Sequence, residues 1–296
     1  MSPRAAPNGD RGPPVIRVTS VDDPRLDVYR NLRDRTLASE RASFIAEGLR
    51  VVERLARSRR FRMRSVLVSE RRLERVRALD LPSSVPLLVL PDRRIEEVVG
   101  FDLHRGVLSA GERGSPLEAE AVLPPPGPAV VLGLVGLANH DNVGACFRHA
   151  AGFGASAVVL DRRCADPLYR KALRVGMGHP LSVPFGWAQD AEALLAALRR
   201  GGFETAALTP SSAAESLERW ADRSVAAPDR LALLVGAEGA GLSPEVLDAA
   251  DRRVRIPMAG ETDSLNVATA AAVALFAWRC GQGEGATGRF GSPSSG

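Results

Sequence analysis

Lysine is almost missing from this chain: Lys171 is the single one among 296 residues. Arginine carries the positive charge instead, so an arginine-rich stretch here reflects composition before it reflects function. Cysteine is also scarce. Cys146, Cys164 and Cys280 are odd in number and far apart, which excludes a disulfide framework and the usual cysteine spacings of zinc sites. Reduced thiols of this kind point to the cytoplasm. No apolar run reaches the length of a bilayer span. The longest candidate, 267–278, reads as a core helix. The first residues lack the basic-then-apolar pattern of a secretory signal. The expectation is a cytoplasmic protein with no membrane contact and no metal centre.

What is present is ample apolar material. Hydrophobic residues make up 45% of the chain, enough for a sizeable core in one large or two ordinary domains. The formal net charge is only +4, but it is unevenly spread. Between Arg50 and Arg77 lie eleven arginines against three glutamates. Clustered guanidinium groups suit a phosphate backbone; a solvated helical face in an arginine-biased chain is the plainer alternative.

Proline and glycine divide the sequence. Residues 1–14 are rich in Pro, Gly and Arg, and the tail 281–296 is rich in Gly and Ser; both read as disordered. "LPPPGPAV", starting at Leu123, cannot continue a helix or a central strand, and 122–128 reads as a linker. The first domain then covers 15–121. "SFIAEGLRVVERLARS", from Ser43, has apolar residues at helical spacing, while "RSVLVS" and "VPLLVL" read as strands. "ERRLERVRAL" and "PDRRIEEVVG" read as helices, the latter with Pro91 at its start. The second domain, 129–280, alternates more clearly. "AVVLGLVGL", "ASAVVL", "LSVPFGW", "FETAAL", "LALLVG" and "RVRIPM" are buried strands of the parallel type. Helices are expected at 143–151, 190–200, 243–250 and in the Ala-rich stretch before Cys280. The fold class is α/β, and such sheets bind ligands beyond the carboxyl ends of their strands.

Three loops at those ends hold the candidate chemistry. In "GLANHDNVGACFRHAAGFGA" Asn142 suits a helix N-cap, with Arg148 nearly two turns on. "GFGASA", inside it, matches a dinucleotide pattern but runs from helix to strand, the reverse of what pyrophosphate binding needs. In "LALLVGAEGAGLS" three glycines surround Glu238, and no Lys-Ser or Lys-Thr follows, so it is not a P-loop. In "RIPMAGETDSLNVATAA" Asp263 or Ser264 is the expected N-cap. Asn266 is then a polar residue just inside the first turn of an apolar helix, marking a polar site at a helix N-terminus.

"NVGACFRHAAGFGA", "LLVGAEGAGLS" and "IPM…DSLNVATAAAVALF" together, in that order, resemble the three motifs of the SpoU family of RNA 2′-O-ribose methyltransferases, of the TrmH-like SPOUT group. "FIAEGLRVVERLAR" resembles the RNA-binding domain of L30e-like fold that often precedes that catalytic domain. The resemblance implies a parallel-sheet α/β domain with a deep trefoil knot, preceded by a small L30e-like α/β domain. It implies S-adenosylmethionine as cofactor, with Gly236, Ile256, Met258, Leu265 and Asn266 as its binding residues. It implies Arg148, Asn142, Glu238, Ser264 and Asn266 as catalytic residues, an RNA partner, rRNA ahead of tRNA, and a homodimer through the final helix. A guanidinium stays protonated, so Arg148 is expected to clamp a phosphate and stabilise the developing alkoxide rather than remove a proton.

The sequence departs from the family in places. Gly176 stands where relatives often have serine, and Cys146 and Phe147 replace smaller or aliphatic residues before Arg148. His140, His149 and His179 lie in or near the loops and are read as incidental. Two rival functions are a non-catalytic RNA-binding protein that keeps the fold, and a nucleotide-dependent oxidoreductase. The first leaves Asn142, Arg148, Glu238 and Asn266 unexplained, and the order of "GFGASA" argues against the second.

Overall fold

The computed structural model describes residues 12–30, 32, 42–100, 106–221, 229–259 and 264–281. The two segments expected to be disordered, 1–14 and 281–296, lie outside these residues except for 12–14 and 281. The chain divides into two units, one formed by Met1–Ser115 with Pro167–Ser182, the other by Pro116–Asp166 with Val183–Gly296.

The first unit is built on β1 (Val15–Arg17), β2 (Ser43–Glu47), α1 (Leu49–Ala56), β3 (Met63–Ser69), α2 (Leu73–Arg77), β4 (Leu87–Leu90), α3 (Asp92–Val99) and β5 (Val107–Glu112). Its strands form a mixed sheet in the order β1-β4-β3-β5-β2. β4 pairs in parallel with β1 and β3, and β5 runs antiparallel to β3 and β2. Val and Leu fill the cores of β3 and β4, and α3 turns Ile95, Val98 and Val99 onto them. Gly100, left-handed at φ 79°, ends α3.

The helix expected over 43–58 is half strand. All five residues of β2 are buried, and Gly48 at φ 91° separates them from α1. A short apolar run fits either period, and only pairing decides between them: Ser43 to Glu47 register against Glu112 to Leu108 of β5. That partner strand was itself not legible in the sequence.

The second unit begins with β6 (Ala129–Leu134), α4 (His140–Phe153) and β7 (Ala157–Asp161). The chain then joins the first unit through α5 (Arg170–Val175), which packs on β2. There the buried carboxylate of Glu47 has Arg170 Nε at 3.8 Å and Arg174 Nη1 at 4.0 Å. Gly176, the departure noted above, caps α5 and is followed by Met177 at φ 52° and Gly178 at φ 81°.

Back in the second unit come β8 (Phe185–Ala188), α6 (Ala191–Arg200), β9 (Glu204–Leu208), β10 (Glu215–Ser216), α7 (Leu217–Ala221), β11 (Arg230–Val235), α8 (Pro244–Ala249), β12 (Arg252–Arg255) and α9 (Val267–Gly281). The seven strands are all parallel, in the order β10-β12-β9-β11-β6-β7-β8. The six expected strands are there. Their continuous apolar runs follow from burial on both faces. Strand order reverses between β11 and β6, with β7 and β8 on one side and β9, β12 and β10 on the other. Among the described residues no helix is long and apolar enough to cross a membrane.

The proline run is not a free linker. Ala119 and Val122 already sit in the second unit's core, in a 3-10 turn. The carbonyls after them are fastened by Arg230, at the start of β11. Its Nη1 donates to Pro125 O and Gly127 O at 2.8 Å, Nη2 to Pro124 O at 3.0 Å and Nε to Gly201 O at 3.0 Å. Its guanidinium also lies 4.2 Å from the Phe203 ring centroid. A planar fork can serve all these acceptors and an ammonium cannot. Arg230→Lys should therefore destabilise this unit by about 2 kcal/mol. Thermal unfolding should show the loss as a melting temperature roughly 4–8 °C lower, and an unchanged value would refute the clasp.

Candidate active site

Beyond the carboxyl ends of β9, β11 and β12 lies a cavity of about 370 Å³, within the range of small-molecule sites. Leu208, Thr209 and Pro210 close one side, and the 235–239 turn with Gly241 closes another. Val254, Ile256, Met258 and the stretch from Ser264 to Val267, with Ala270, complete it.

The wall after β11 is a tight hairpin. Gly241 N–H donates to Ala237 O at 2.9 Å, and Ala240 N–H to Glu238 O at 3.1 Å. Gly239 and Gly241 take φ of 80° and 67°, where side chains are strained. At Gly236 the constraint is space: a Cβ there would lie 2.2 Å from the Gly241 carbonyl carbon. The glycines thus fold the loop onto itself and leave Glu238 projecting, exposed.

Asn266 joins this hairpin to two helices. It is the N-cap of α9, with Oδ1 accepting from Ala268 N–H at 3.0 Å and Thr269 N–H at 3.3 Å. The expected caps are thereby corrected: Asp263 lies outside the described residues, and the helix starts at Val267, so Asn266 is not inside the first turn. Because Oδ1 faces the helix, Nδ2 faces the loops. It donates to Asn142 Oδ1 at 2.9 Å and to Glu238 Oε1 at 3.2 Å.

Asn142 is corrected in the same way. α4 starts at His140 with Asn139 as its cap, Oδ1 accepting from Asp141 N–H at 2.8 Å. Asn142 therefore sits inside the first turn, 6% exposed. Having given Oδ1 to Asn266, it keeps a buried Nδ2 with no hydrogen-bond partner among the described residues. A buried donor left unpaired costs about 1–3 kcal/mol.

Three of the five expected catalytic residues, Asn142, Glu238 and Asn266, are thus hydrogen-bonded together. Ser264 lines the same cavity, as do all five expected cofactor residues: Gly236, Ile256, Met258, Leu265 and Asn266. Arg148 stands apart. It is exposed on α4 and does not line the cavity of the single chain. Its neighbour His149 is held below the ordinary histidine range by burial and by the Arg148 charge. His179 lies in the first unit beside Arg54, and none of the three loop histidines lines the cavity. Thr209 and Pro210 were missed in the sequence; their position just past a buried strand was the available signal. The arginines between 50 and 77 lie on α1, β3 and α2 and on the segments that join them. Several are paired, such as Arg57 with Glu53 at 2.9 Å and Arg77 with Glu74 at 3.5 Å.

Both the sequence and the fold have known relatives. The model of the SpoU rRNA Methylase family matches residues 129–276. An uncharacterised tRNA/rRNA methyltransferase of Mycobacterium bovis is 43% identical over 269 residues, covering 88% of this chain and 91% of that protein. The 23S rRNA (guanosine-2′-O-)-methyltransferase RlmB of a Burkholderia species is 32% identical over 192 residues, covering 64% of this chain and 75% of its own. The crystal structure of an AdoMet-bound rRNA methyltransferase from Sinorhizobium meliloti superposes with a TM-score of 0.73 at 27% identity, over 90% of this chain and 98% of that one.

The Asn266 bridge has a testable electrostatic signature. Asn266→Asp keeps the cap acceptor but sets a carboxylate against Glu238 and the Asn142 carbonyl. Repulsion should lower the stability of this variant at pH 7, and protonation should relieve it as the pH falls through the carboxylate range. Its melting temperature should therefore approach the wild-type value between about pH 6 and 4. A gap that stays constant with pH would show that the three side chains do not meet.

Proposed function

The chain belongs to the SpoU rRNA methylase family, and from that premise we propose that it transfers a methyl group from S-adenosylmethionine to a ribose 2′-hydroxyl of structured RNA. One observation supports this most: the Asn142–Asn266–Glu238 bridge stands at the rim of the cavity that holds every residue expected to bind the cofactor. Ribosomal RNA is the favoured substrate class. Its support is that RlmB, 32% identical to this chain, is a 23S rRNA enzyme. The cytoplasm, where such RNA is made, is the proposed location.

The residues fit the cofactor. Leu208, Val235, Val254, Ile256, Met258 and Leu265 give the cavity apolar walls, and among the described residues its polar side chains are those of Thr209, Glu238, Ser264 and Asn266. Bound there, S-adenosylmethionine supplies an electrophilic methyl on a sulfonium sulfur. The protein supplies position and a dry cavity. The glycine hairpin and α9 form the walls, and Asn266 fixes them to each other and to α4, so the reacting groups are held without reorganisation. The unpaired Nδ2 of Asn142 is a donor available once substrate or a shifted side chain reaches it. Arg148 holds the phosphate beside the target ribose and stabilises the negative charge that develops on the attacking 2′-oxygen.

We assign the first unit as the RNA-binding domain of L30e-like fold, supported by its mixed sheet and arginine-rich surface. We assign a homodimer through α9. Phe276, 55% exposed beside Phe153 of α4, gives that face its apolar surface, and a second copy bearing Arg148 completes the RNA side of the cavity. The chain between β12 and α9 is threaded as a deep trefoil knot. The support is the resemblance to the knotted family, together with α9 packing on α4 and on β11, the strand that leads into the 236–241 hairpin. A density map tracing 256–267 around the outside of that hairpin removes the knot.

Incubation with methyl-labelled S-adenosylmethionine and deproteinised rRNA or bulk tRNA should label one 2′-O position. Calorimetry should show binding of the cofactor and not of NAD. Cofactor binding absent together with no label would leave only an RNA-binding role. Arg148→Ala should lower kcat about 10²–10³-fold with cofactor affinity within about twofold, and Arg148→Lys, lacking the fork, should recover little of it. Near-full turnover by the lysine variant would rule out the clamp.

A further inference from the structure

The loop leading to Asn142 is held at Gly136 and Leu137 from the end of β7. Asp161 Oδ1 accepts from Gly136 N–H at 2.9 Å, and Cys164 Sγ accepts from Leu137 N–H at 3.3 Å. Leu137 O accepts from Ala165 N–H at 2.7 Å. The Cys164 thiol has Leu134 O and Asp161 Oδ1 as acceptors, both at 3.2 Å, for its single proton. Asp161 is thus a carboxylate with no exposed surface at the sheet's carboxyl edge.

Among the described residues one cation is ion-paired with it, and that cation is not buried. Arg163 donates from Nε to Asp161 Oδ2 at 3.1 Å, and its backbone N–H donates to Oδ1 at 3.2 Å, yet its side chain is 69% exposed. The ion pair therefore has a fixed end and a free end. Nε is tied, and the two terminal nitrogens have no partner among the described residues. Their location is defined by Gly136. A methyl group built on that residue would meet Ala237 Cβ at 3.8 Å and Arg163 Cζ at 3.9 Å. Ala237 lines the cavity and precedes Glu238. The guanidinium accordingly stands at the rim between the loop leading to Asn142 and the hairpin bearing Glu238.

We propose that Arg163, aimed by the buried carboxylate of Asp161, is a phosphate-binding residue for the RNA, gripping the backbone next to the ribose presented to the cavity. This rests on the RNA methyltransferase reading above. An exposed arginine on a surface usually loses most of its value to side-chain disorder. Here the Nε bond removes much of that disorder in advance, leaving a two-pronged donor of the geometry phosphate accepts. The contact would carry no base information and would set register, as backbone contacts do. Asp161 acts through Arg163 and through the loop, so it is a positioning residue.

The test uses the full-length protein with bulk tRNA and deproteinised rRNA as probes. Arg163→Ala should raise the RNA KM about 5–10-fold, leave kcat within about twofold and leave S-adenosylmethionine affinity unchanged by calorimetry. The plot of log K for RNA against log salt should become shallower by about 0.7–0.9, the loss of one phosphate contact. Arg163→Lys should keep the salt slope while regaining only part of the affinity. Asp161→Asn retains the Oδ1 acceptor for Gly136 and loses the charge that aims Arg163. It should weaken RNA binding alone and add nothing on the Arg163→Ala background. Wild-type KM and slope in Arg163→Ala overturn the proposal. So does a loss of cofactor and RNA affinity together in that variant, which marks a structural role. RNA binding with the predicted slope change but without methyl transfer upholds this contact and overturns the methyltransferase reading. Failure of the wild-type protein to bind either RNA overturns both.

Discussion

A single carboxamide, that of Asn266, sets the geometry on which the site depends. Its oxygen is committed to the first turn of α9 and its nitrogen to Asn142 and Glu238. These two commitments are not independent. The backbone N–H groups of a helix start accept no substitute for an oxygen, so the cap orients the amide and the amide's orientation selects its loop partners. The partners come from positions 28 and 124 residues earlier in the chain. The bridge therefore depends on the places that β6, β11 and β12 take in the sheet.

The sheet places these loops together at little conformational cost. In a parallel sheet every strand of a given direction delivers its following loop to the same edge. Here β6 delivers the loop to α4, β11 the glycine hairpin, and β12 the stretch that ends at Asn266. Glycine then decides how close two of these backbones come. No side chain of any size fits at position 236, because Gly241 and Leu242 occupy the space. Asp161 does the corresponding work for the β6 loop from one strand further along, by hydrogen bonds rather than by close approach.

The sequence carried much of this and withheld the rest for identifiable reasons. Strands buried on both faces announce themselves as unbroken apolar runs, so the second unit's six long strands were legible. The segment at 43–58 was not, because Phe44 and Ile45 fit a helix as well as a strand until Gly48 and the β5 pairing are known. Asn142 and Asn266 were picked out with their cap positions exchanged. Asn142 was read as a cap and is interior; Asn266 was read as interior and is a cap. Chemically similar polar residues crowd each boundary, and a one-to-three-residue shift moves no hydrophobic position. The role of Arg230 could not be read at all, since it depends on carbonyls about a hundred residues away.

The placement of charge follows from the reaction. Methyl transfer from a sulfonium to an oxygen destroys charge as it proceeds. A fixed anion buried against the cofactor would stabilise the reactant more than the transition state, and so slow the step. Among the described residues, the one carboxylate in the cavity lining meets this constraint. Glu238 is exposed at the rim and bound to Asn266, where water screens it. The walls behind it are apolar. Asp161, the fully buried carboxylate of this edge, is kept off the lining and paired with Arg163. Among the described residues no arginine lines the cavity, while Arg148 and Arg163 are exposed, where phosphates of an RNA would meet them. Keeping cations off the lining is what a site needs if it is to hold a sulfonium and a polyanion side by side.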